Sequence, residues 1–291
     1  MKTFISPIEL TKTLLSIKSE KKTIGFVPTM GSLHEGHLEL VKKAKQQNDV
    51  VIISVFVNPL QFGAGEDYNE YPRSIERDRS LAEQAGVDLF FEPTEDLMYP
   101  EKLNTSIVVE SGTNVLCGKS RPGHFDGVAT VVMKLFQIVQ PDRSYFGLKD
   151  AQQVAVIKNM VKDFHMPVSI VACDIVREAD GLALSSRNIR LSENERYQAP
   201  ALYKALQYGA ELLSKSCRSP EDISRMVYSH VSERIEAKID YIDILSFPAL
   251  SRSINEEDDI ILAGAVHFKK ARLIDNILVP AEIRQKRKLG I

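Results

Sequence analysis

Two histidines and two glycines lie close together in residues 28–37. His34 and His37 are three residues apart, so their side chains share a face if a helix already includes His34. Glycines such as Gly31 and Gly36 let backbone approach an anion closely, because no Cβ stands in the way. A helix that starts here would direct its first N–H groups at the same anion. These residue types and spacings predict a phosphate site whose imidazoles stabilise charge during a reaction.

Two other interpretations of this segment stay open on the residues alone. The order His-Glu-x-His is similar to the zinc-protease helix, but that helix needs histidines four residues apart. The glycine between the histidines also weakens the helix where metal ligands must be rigid, which disfavours zinc. The segment could otherwise be a glycine-containing turn with two partly exposed histidines.

The composition indicates a globular protein without a strong charge bias. The 291 residues suit one large or two ordinary domains, and 44% of them are hydrophobic, enough for a sizeable core. Because 37 basic residues face 39 acidic ones, no global field favours nucleic acid or an anionic membrane. We interpret the short basic cluster at 284–288 as a solvated tail.

The cysteines and the apolar runs indicate a cytoplasmic protein. Cys117, Cys173 and Cys217 show no paired spacing typical of a disulfide framework or a zinc ribbon. The N-terminal residues lack a long apolar stretch, and no run near about 18 apolar residues occurs. We therefore expect a protein of the reducing cytosol that is neither exported nor membrane-spanning.

The first part of the chain alternates between β-rich runs and amphipathic helical patterns. The strand candidates are 24–27, 50–57, 88–91, 144–146 and 168–172, and the helical patterns are 38–47, 128–139 and 154–164. This alternation predicts an α/β domain at residues 1–180, with a Rossmann-like parallel sheet. Such sheets bind ligands at the carboxyl ends of their strands, where the histidine segment lies.

The remainder of the chain has helix-start signals followed by three strand candidates. Ser192 with Glu195 forms a capping box, Pro200 interrupts that helix, and Ser219-Pro220 starts another. The strand candidates are 239–246, 259–267 and 271–278. Because their connections are short, we expect an antiparallel sheet in a smaller α+β domain at 181–291 that closes over the active site.

Six short motifs occur in order along the chain. They are Pro-Thr-Met-Gly-x-Leu-His-x-Gly-His at 28–37, Phe-Val-Asn-Pro-x-Gln-Phe at 56–62, Tyr-Pro-Arg at 71–73, Arg-Pro-Gly-His-Phe at 121–125, Phe-Gly-Leu-Lys-Asp-Ala-Gln-Gln at 146–153 and Ser-Ser-Arg at 185–187. One motif alone is unspecific, whereas the ordered set is specific. The set resembles the pantothenate synthetase family of the HxGH nucleotidyltransferase superfamily, and the resemblance extends to residues 272–276.

The resemblance implies an ATP-dependent ligase that joins (R)-pantoate to β-alanine in two steps. The pantoate carboxylate attacks the α-phosphorus of ATP and releases pyrophosphate. The β-alanine amine then attacks the pantoyl adenylate and releases AMP. The first step needs positioning and charge stabilisation, because a carboxylate is already ionised. The second step needs a pocket that excludes water, which would hydrolyse the adenylate.

The resemblance also implies roles for individual residues. His37, His34 and Lys149 are the expected catalytic residues, with His37 acting on the transferring phosphate. The implied ATP-binding residues are Met30, Gly31, Ser32, Leu33, His34, Glu35, Gly36, His37, Gly147, Leu148, Lys149, Asp150, Val176, Leu184, Ser185, Ser186 and Arg187. Asp150 could cap the following helix, bind ribose hydroxyls, or do both.

The implied substrate contacts are polar side chains from several different motifs. Gln61, Gln153, Asn58 and Arg121 are expected to bind pantoate and β-alanine. A neutral amide binds hydroxyl or carboxylate without adding charge beside an anionic nucleophile. The segment 119–127 around Arg121 could equally be a structural turn.

The residues of the implied metal site and one position of the ATP-binding loop differ from the family pattern. Mg²⁺ is implied, with Asp78 as its residue, but the neighbouring acidic position of some relatives is Arg77 here. Asp78 could instead pair with Arg77 or Arg79 on a solvated helix. The family commonly has Met where this chain has Leu184, a nearly volume-conserving change with little expected effect.

Two other functions stay open at this stage. The chain could be a nucleotidyltransferase of the same superfamily acting on another acceptor, or a nucleotide-binding module without catalysis. The segment 56–62 and Gln153 disfavour another acceptor, and the presence of every expected polar residue disfavours a silent module. The expected partners are the three small substrates and a second copy of the chain as a homodimer, without nucleic acid or membrane.

Overall fold

The computed structural model describes residues 1–63, 65–215 and 218–283. Cys217 and the basic cluster at 284–288 lie outside the described residues. The chain divides into two compact units, of which the first comprises 1–113, 118–147 and 156–174. The second comprises 114–117, 148–155 and the chain from 175 onward. The units are therefore discontinuous in sequence, and the domain boundary at residue 180 stays a prediction.

A six-stranded parallel sheet forms the centre of the first unit. Its strands are β1 (Lys2–Phe4), β2 (Ile24–Thr29), β3 (Val50–Val55), β4 (Leu89–Phe91), β5 (Arg143–Gly147) and β6 (Ser169–Cys173), in the order β1-β4-β3-β2-β5-β6. The strand order reverses direction between β2 and β5, which is the switch point where open α/β sheets bind ligands. The predicted parallel sheet and its α/β class are confirmed.

Helices connect these strands along the chain. They are α1 (Pro7–Ser19), α2 (Glu35–Gln47), α3 (Ile75–Gln84), α4 (Glu95–Met98), α5 (Leu116–Ser120), α6 (His124–Val139) and α7 (Ala151–Asp163). One core cluster buries Val27, Val51, Ile53 and Phe90 of the sheet against Val41 and its neighbours on α2. Apolar side chains of these strands thus pack α2 against the sheet, and the histidines stand at the N-terminal end of this helix.

An antiparallel sheet and three helices form most of the second unit. The strands are β7 (Lys238–Phe247), β8 (Asp259–His267) and β9 (Arg272–Val279), in that order, and the helices are α8 (Glu193–Gln198), α9 (Pro200–Lys215) and α10 (Pro220–Ser232). Leu206 of α9, Val227 of α10 and Leu262 of β8 are fully buried in its core. The predicted antiparallel sheet is confirmed.

Several boundaries differ from the sequence predictions. The helix after the histidine segment starts at Glu35 rather than Leu38, so it takes in Gly36 and His37. Strand β3 ends at Val55 rather than residue 57, because the chain turns into a 3₁₀ turn at Pro59–Gln61. The segment 119–127 is mostly helical, since α5 ends at Ser120 and α6 begins at His124.

Cap signals in the second unit predicted the helix starts correctly. Ser192 and Glu195 form the predicted capping box of α8, and Ser219 caps α10. Pro200 separates α8 from α9 by standing at the first position of the new helix, where its missing N–H costs nothing. None of the helices in the described residues combines the length and apolarity needed to cross a bilayer.

Gly127 marks the closest approach of α6 to the 3₁₀ turn at Pro59–Gln61. A Cβ placed on Gly127 would lie 2.2 Å from the Leu60 carbonyl oxygen. We predict that Gly127→Ala lowers the free energy of unfolding by about 1–3 kcal/mol, because the backbone must shift despite the better helix propensity of alanine. Urea unfolding measures the change. Gly147→Ala is the control, since its Cβ meets nothing within 4 Å, and an equal loss in both variants would contradict this account.

Candidate active site

The histidine segment leaves the sheet through two left-handed residues. Gly31 and Ser32 have φ values of 83° and 51°, which reverse the chain between β2 and α2. A Cβ on Gly31 would lie 2.8 Å from a methyl of Val55 and 2.9 Å from Asp78 Oδ2, so glycine is required for space as well as for φ. The reversal turns the backbone N–H groups of Ser32 and Leu33 inward.

Asp78 of α3 fixes the reversed segment. Its two carboxylate oxygens accept the Ser32 N–H at 2.8 Å and the Leu33 N–H at 2.7 Å, and the residue is 1% exposed. Burial raises the pKa of Asp78, and the two amide donors partly oppose this rise. The carboxylate therefore acts as a fixed acceptor that sets the path of the chain towards His34.

His34 and His37 form a capping box at the start of α2. His34 is the N-cap in extended conformation, and its Nδ1 accepts the Gly36 N–H at 3.1 Å. His37 Nδ1 accepts the His34 N–H at 3.4 Å, and the two rings lie 4.1 Å apart. A ring nitrogen that accepts an amide carries no hydrogen, so each neutral imidazole carries its hydrogen on Nε2.

The glycine between the histidines also has a steric reason. A Cβ on Gly36 would lie 2.9 Å from the His34 ring, so any larger residue would displace the imidazole. His34 lies outside the helix, and the condition that a helix includes it is not met. The histidines nevertheless come together, because the cap folds the His34 ring back over the first turn.

The turn after β3 holds Gln61 in one orientation. Asn58 Nδ2 donates to Gln61 Oε1 at 3.1 Å, and Gln61 Nε2 lies 3.0 Å from the sulfur of Met30. Asn58 Nδ2 also donates to Gly127 O, while its Oδ1 accepts the hydroxyl of Tyr99 at 2.8 Å. Asn58 is 1% exposed and orients Gln61; its own contact with substrate stays a prediction.

Arg121 and His124 converge on the backbone of Gln61. The Gln61 carbonyl accepts His124 Nδ1 at 2.8 Å and an Arg121 N–H at 3.2 Å. Because a carbonyl only accepts, His124 carries a hydrogen on Nδ1, and its Nε2 accepts Arg121 at 3.0 Å. Glu66 pairs with the guanidinium through both carboxylate oxygens. These contacts position Gln61, and direct binding of substrate by Arg121 stays a prediction.

In the second unit, the predicted lysine lies on a 3₁₀ turn that leads into α7. The turn is Leu148–Asp150, and Lys149 Nζ lies 3.6 Å from Asp150 Oδ2. Gln152 is buried and binds the backbone of the separate segment 115–117. It accepts the Cys117 N–H and donates to Val115 O, both at 2.9 Å. Gln153, the predicted pantoate residue, follows in the first turn of α7.

A second turn of this unit carries the serines and the arginine. Val176 O accepts the Leu184 N–H at 2.9 Å, which joins two predicted ATP-binding positions through their backbone. Ser185 caps the 3₁₀ helix Ser186–Arg190 by accepting the Arg187 N–H at 3.3 Å. The Leu184 side chain is half-buried and takes no part in these backbone contacts.

A cavity of about 450 Å³ lies at the carboxyl edge of β3 within the first unit. Met30, Gly31 and Asp78 line it on the side of the histidine segment. This volume is in the range of small-molecule sites, but the cavity lies at the carboxyl ends of β3 and β4, and His34, His37 and Gln61 are not among its lining residues.

The donor set does not form a metal site built from protein groups alone. Among the described residues, no cluster of three or more His, Cys, Asp or Glu side chains could hold a metal ion. Both oxygens of Asp78 already accept backbone amides, and its contact with Mg²⁺ stays a prediction. The alternative of a solvated pair with Arg79 is wrong, because Asp78 is buried and Arg79 pairs with Glu92.

Comparison with known proteins decides between the families that this geometry allows. A family model described as pantoate-beta-alanine ligase matches residues 2–278. The chain belongs to the pantoate-beta-alanine ligase family. Pantothenate synthetase from Halalkalibacterium halodurans is 55% identical over 263 residues, which cover 90% of this chain and 93% of that protein. The family and the ligase class predicted from the motifs are confirmed.

Solved structures of the ligase family agree with the fold. Pantothenate synthetase from Thermus thermophilus superposes with a TM-score of 0.87 at 46% identity, covering 95% of this chain and 99% of that one. Pantoate-beta-alanine ligase from Francisella tularensis superposes with a TM-score of 0.78 at 38% identity, covering 97% and 98%. The Francisella structure was determined with beta-gamma ATP and beta-alanine.

Some residues that shape the ligase site had no signal in the sequence. Tyr99 and Gly127 hold Asn58, and Glu66 holds Arg121, each across 41 or more positions of the chain. No local spacing connects such partners. For Gln152, by contrast, a signal was available, because adjacent residues of a helix such as Gln152 and Gln153 face different sides.

The Glu66–Arg121 pair predicts an acid-dependent loss of stability. The Arg121 guanidinium holds the pKa of Glu66 below its ordinary 4.5, so the stabilisation is present above that value and is lost as pH falls through the folded pKa. We predict that Glu66→Gln lowers the free energy of unfolding by about 1–3 kcal/mol at pH 7. The difference from the parent chain shrinks at pH values below 4.5.

Urea unfolding at several pH values measures this difference. Glu39→Gln is the matched control, because the Glu39–Lys42 pair is exposed and its removal should cost at most about 0.5 kcal/mol. A difference for Glu66→Gln that is constant with pH would count against the ion pair.

Proposed function

We propose that this chain condenses (R)-pantoate with β-alanine through a pantoyl adenylate, consuming ATP and releasing pyrophosphate and AMP. The observation that carries the proposal is the capped histidine pair at the end of β2, in a chain 55% identical to a pantothenate synthetase. The beta-gamma ATP and beta-alanine named for the Francisella relative support the same substrates.

The first step requires positioning rather than a base. The pantoate carboxylate attacks the α-phosphorus, the bond to the bridging oxygen breaks, and its electron pair leaves on pyrophosphate. The side chains of His34 and His37 meet the phosphates with Nε2–H donors, because the capping amides occupy Nδ1. The first N–H groups of α2 add the positive end of the helix dipole.

The remaining ATP contacts are proposed from the motifs. Lys149 and Arg187 neutralise phosphate oxygens, and Val176 and Leu184 contact the base through their backbone. Gly147 and Asp150 approach the nucleotide at the start of the helix that carries Gln153. Arg187 follows the charge onto pyrophosphate, because a guanidinium can bind two phosphate oxygens at once.

The second step depends on Gln61 and on exclusion of water. We propose that the Gln61 amide contacts pantoate and β-alanine, aided by Gln153. Asn58 and the Arg121–His124 pair fix the turn that carries Gln61, so its amide is ordered before substrate arrives. The β-alanine amine then attacks the adenylate carbonyl and AMP leaves with its phosphate oxygen.

Mg²⁺ is proposed to enter with ATP. It would supply charge neutralisation at the phosphates, and it usually keeps several waters and few protein ligands. Asp78 would be the carboxylate that holds it, on the strength of the motif position.

The location and assembly of the enzyme are also proposals. We infer a cytoplasmic homodimer whose partners are the three substrates, without nucleic acid or membrane, in agreement with the balanced charge of the chain. Light scattering on the purified protein tests the dimer directly.

Isotope exchange tests the proposed two-step reaction. Labelled pyrophosphate should exchange into ATP when pantoate is present and β-alanine is absent, because adenylate formation is reversible. AMP should accumulate only when both substrates are present. Exchange without pantoate would indicate another acceptor, and no exchange or AMP formation under any condition would indicate a silent binding module.

A single substitution tests the role of the histidine pair. We predict that His37→Ala lowers kcat by about 10²–10³-fold while the KM for ATP changes only a few-fold, as expected for a donor that acts mainly in the transition state. Steady-state AMP formation measures both constants. His165→Asn, at an exposed histidine, is the control, and a rise in KM that accounts for the whole loss would assign His37 to ATP binding alone.

A further inference from the structure

Two adjacent residues of β9 hold two separate backbone segments of the second unit. Asp275 and Asn276 are each 5% exposed, which is unusual for polar side chains in a strand. Successive residues of a strand face opposite sides of the sheet. Leu273 and Val279 share the parity of Asp275 and pack in the core with α9 and α10. Asn276 therefore faces the other side.

Asn276 holds the turn that carries Lys149. Its Nδ2 donates to Leu148 O at 2.8 Å and to Lys149 O at 3.1 Å. The amide nitrogen has two hydrogens, so one side chain satisfies both carbonyls. The backbone from which the Lys149 side chain extends is thereby fixed to the sheet.

Asp275 holds the segment that leads to Ser185. Its two oxygens accept the Arg177 guanidinium at 2.7 and 2.9 Å, in the bidentate geometry that fixes orientation as well as distance. Arg177 also donates to Gly181 O at 3.0 Å and lies 3.5 Å above the Tyr203 ring. Arg177 and Ala183 form an antiparallel bridge, and Ala183 stands two residues before Ser185.

The two anchors are coupled through the backbone. Asp275 Oδ1 accepts the Asn276 N–H at 2.8 Å in addition to Arg177. A displacement of Asp275 therefore moves the acceptor of the Asn276 N–H, and a displacement of Asn276 moves a donor to the Asp275 carboxylate.

We infer that Asp275 and Asn276 are positioning residues for adenylate formation, which set the Lys149 turn and the Ser185–Arg187 segment at once. This inference rests on the proposed function, in which Lys149 and Arg187 contact ATP phosphates. Both anchors act on the course of the backbone rather than on the two side chains proposed to meet ATP. Misplacement of a reacting group by about 1 Å can lower a rate by 10²-fold, so loosening one anchor acts on catalysis before it unfolds the unit.

Asn276→Asp is the decisive variant, because it keeps the shape and replaces the two N–H donors by acceptors that face carbonyl oxygens. We expect kcat for pantoate-dependent exchange of labelled pyrophosphate into ATP to fall by about 10–100-fold. Asp275→Asn removes the bidentate acceptor of Arg177 and should lower the same rate. Ser246→Ala is the control, since it removes another buried hydrogen bond of this sheet, to the Ser251 N–H.

Hydrogen exchange supplies a readout that is independent of activity. Amides of 148–155 should exchange faster in Asn276→Asp, and amides of 181–187 should exchange faster in Asp275→Asn, while the melting temperature falls no more than in Ser246→Ala. If the parent chain shows no pantoate-dependent exchange, the proposed function fails and local hydrogen exchange alone decides whether the anchors exist. Unchanged local exchange, or kinetics equal to those of Ser246→Ala, overturns the inference.

Discussion

The carboxylate of Asp78 is the constraint on which the histidine end of the site depends. The chain must reverse between β2 and α2, and the reversal turns two backbone N–H groups inward. A buried N–H without an acceptor costs about 1–3 kcal/mol, so two of them would favour another path of the chain. Asp78 removes this cost with one side chain. The same contact sets where His34 begins its cap, because Leu33 directly precedes His34.

The helix cap also determines which ring nitrogen of His34 and of His37 is available to a ligand. The cap consumes Nδ1 of both imidazoles, so each neutral ring can offer only Nε2–H to a ligand. Two histidines in an unconstrained turn would sample both tautomers and many orientations. Here the backbone N–H groups that donate to Nδ1 fix the tautomer of each ring. Gly36 has no side chain and leaves the space that the His34 ring occupies. The folding of this helix N-terminus therefore also sets the orientation and the tautomer of the two imidazoles that we propose to meet phosphate.

The sequence could predict those features whose causes lie within a few residues. The alternation of strand and helix patterns and the box at Ser192 act locally, and they located the sheet and the start of α8. The proline at 200 was expected to interrupt one helix, and it starts a separate one. Helix α1 was overlooked, although Ser6-Pro7 carries the cap and proline signal that located α10 at Ser219-Pro220. Strand β1 has three residues, which is too short for any period to be recognised.

Features that depend on distant partners could not be predicted in this way. Asp78 resembles an exposed helix residue among charged neighbours, because its amide partners lie 45 and 46 positions earlier. Contact of Asn58 and Arg121 with substrate stays a prediction, and their contacts in the structure hold Gln61 in place. A polar residue in a motif indicates that a site needs it, but not whether it binds the ligand or holds the residue that does.

Polar groups that hydrogen-bond to backbone atoms occur in both units. These contacts determine which positions of a loop tolerate substitution. Asp78 accepts loop amides, Asn276 donates to turn carbonyls, and Val176 accepts the Leu184 amide. Contacts to backbone fix the course of a segment whatever side chains it carries. A change such as Leu184 for Met therefore leaves the path of its loop intact, whereas a change at a buried anchor moves every residue of the loop together. The side chains that set the loops thus limit how precisely the side chains proposed to meet ligand can act, and His34 and His37 belong to both groups, because their rings also cap α2.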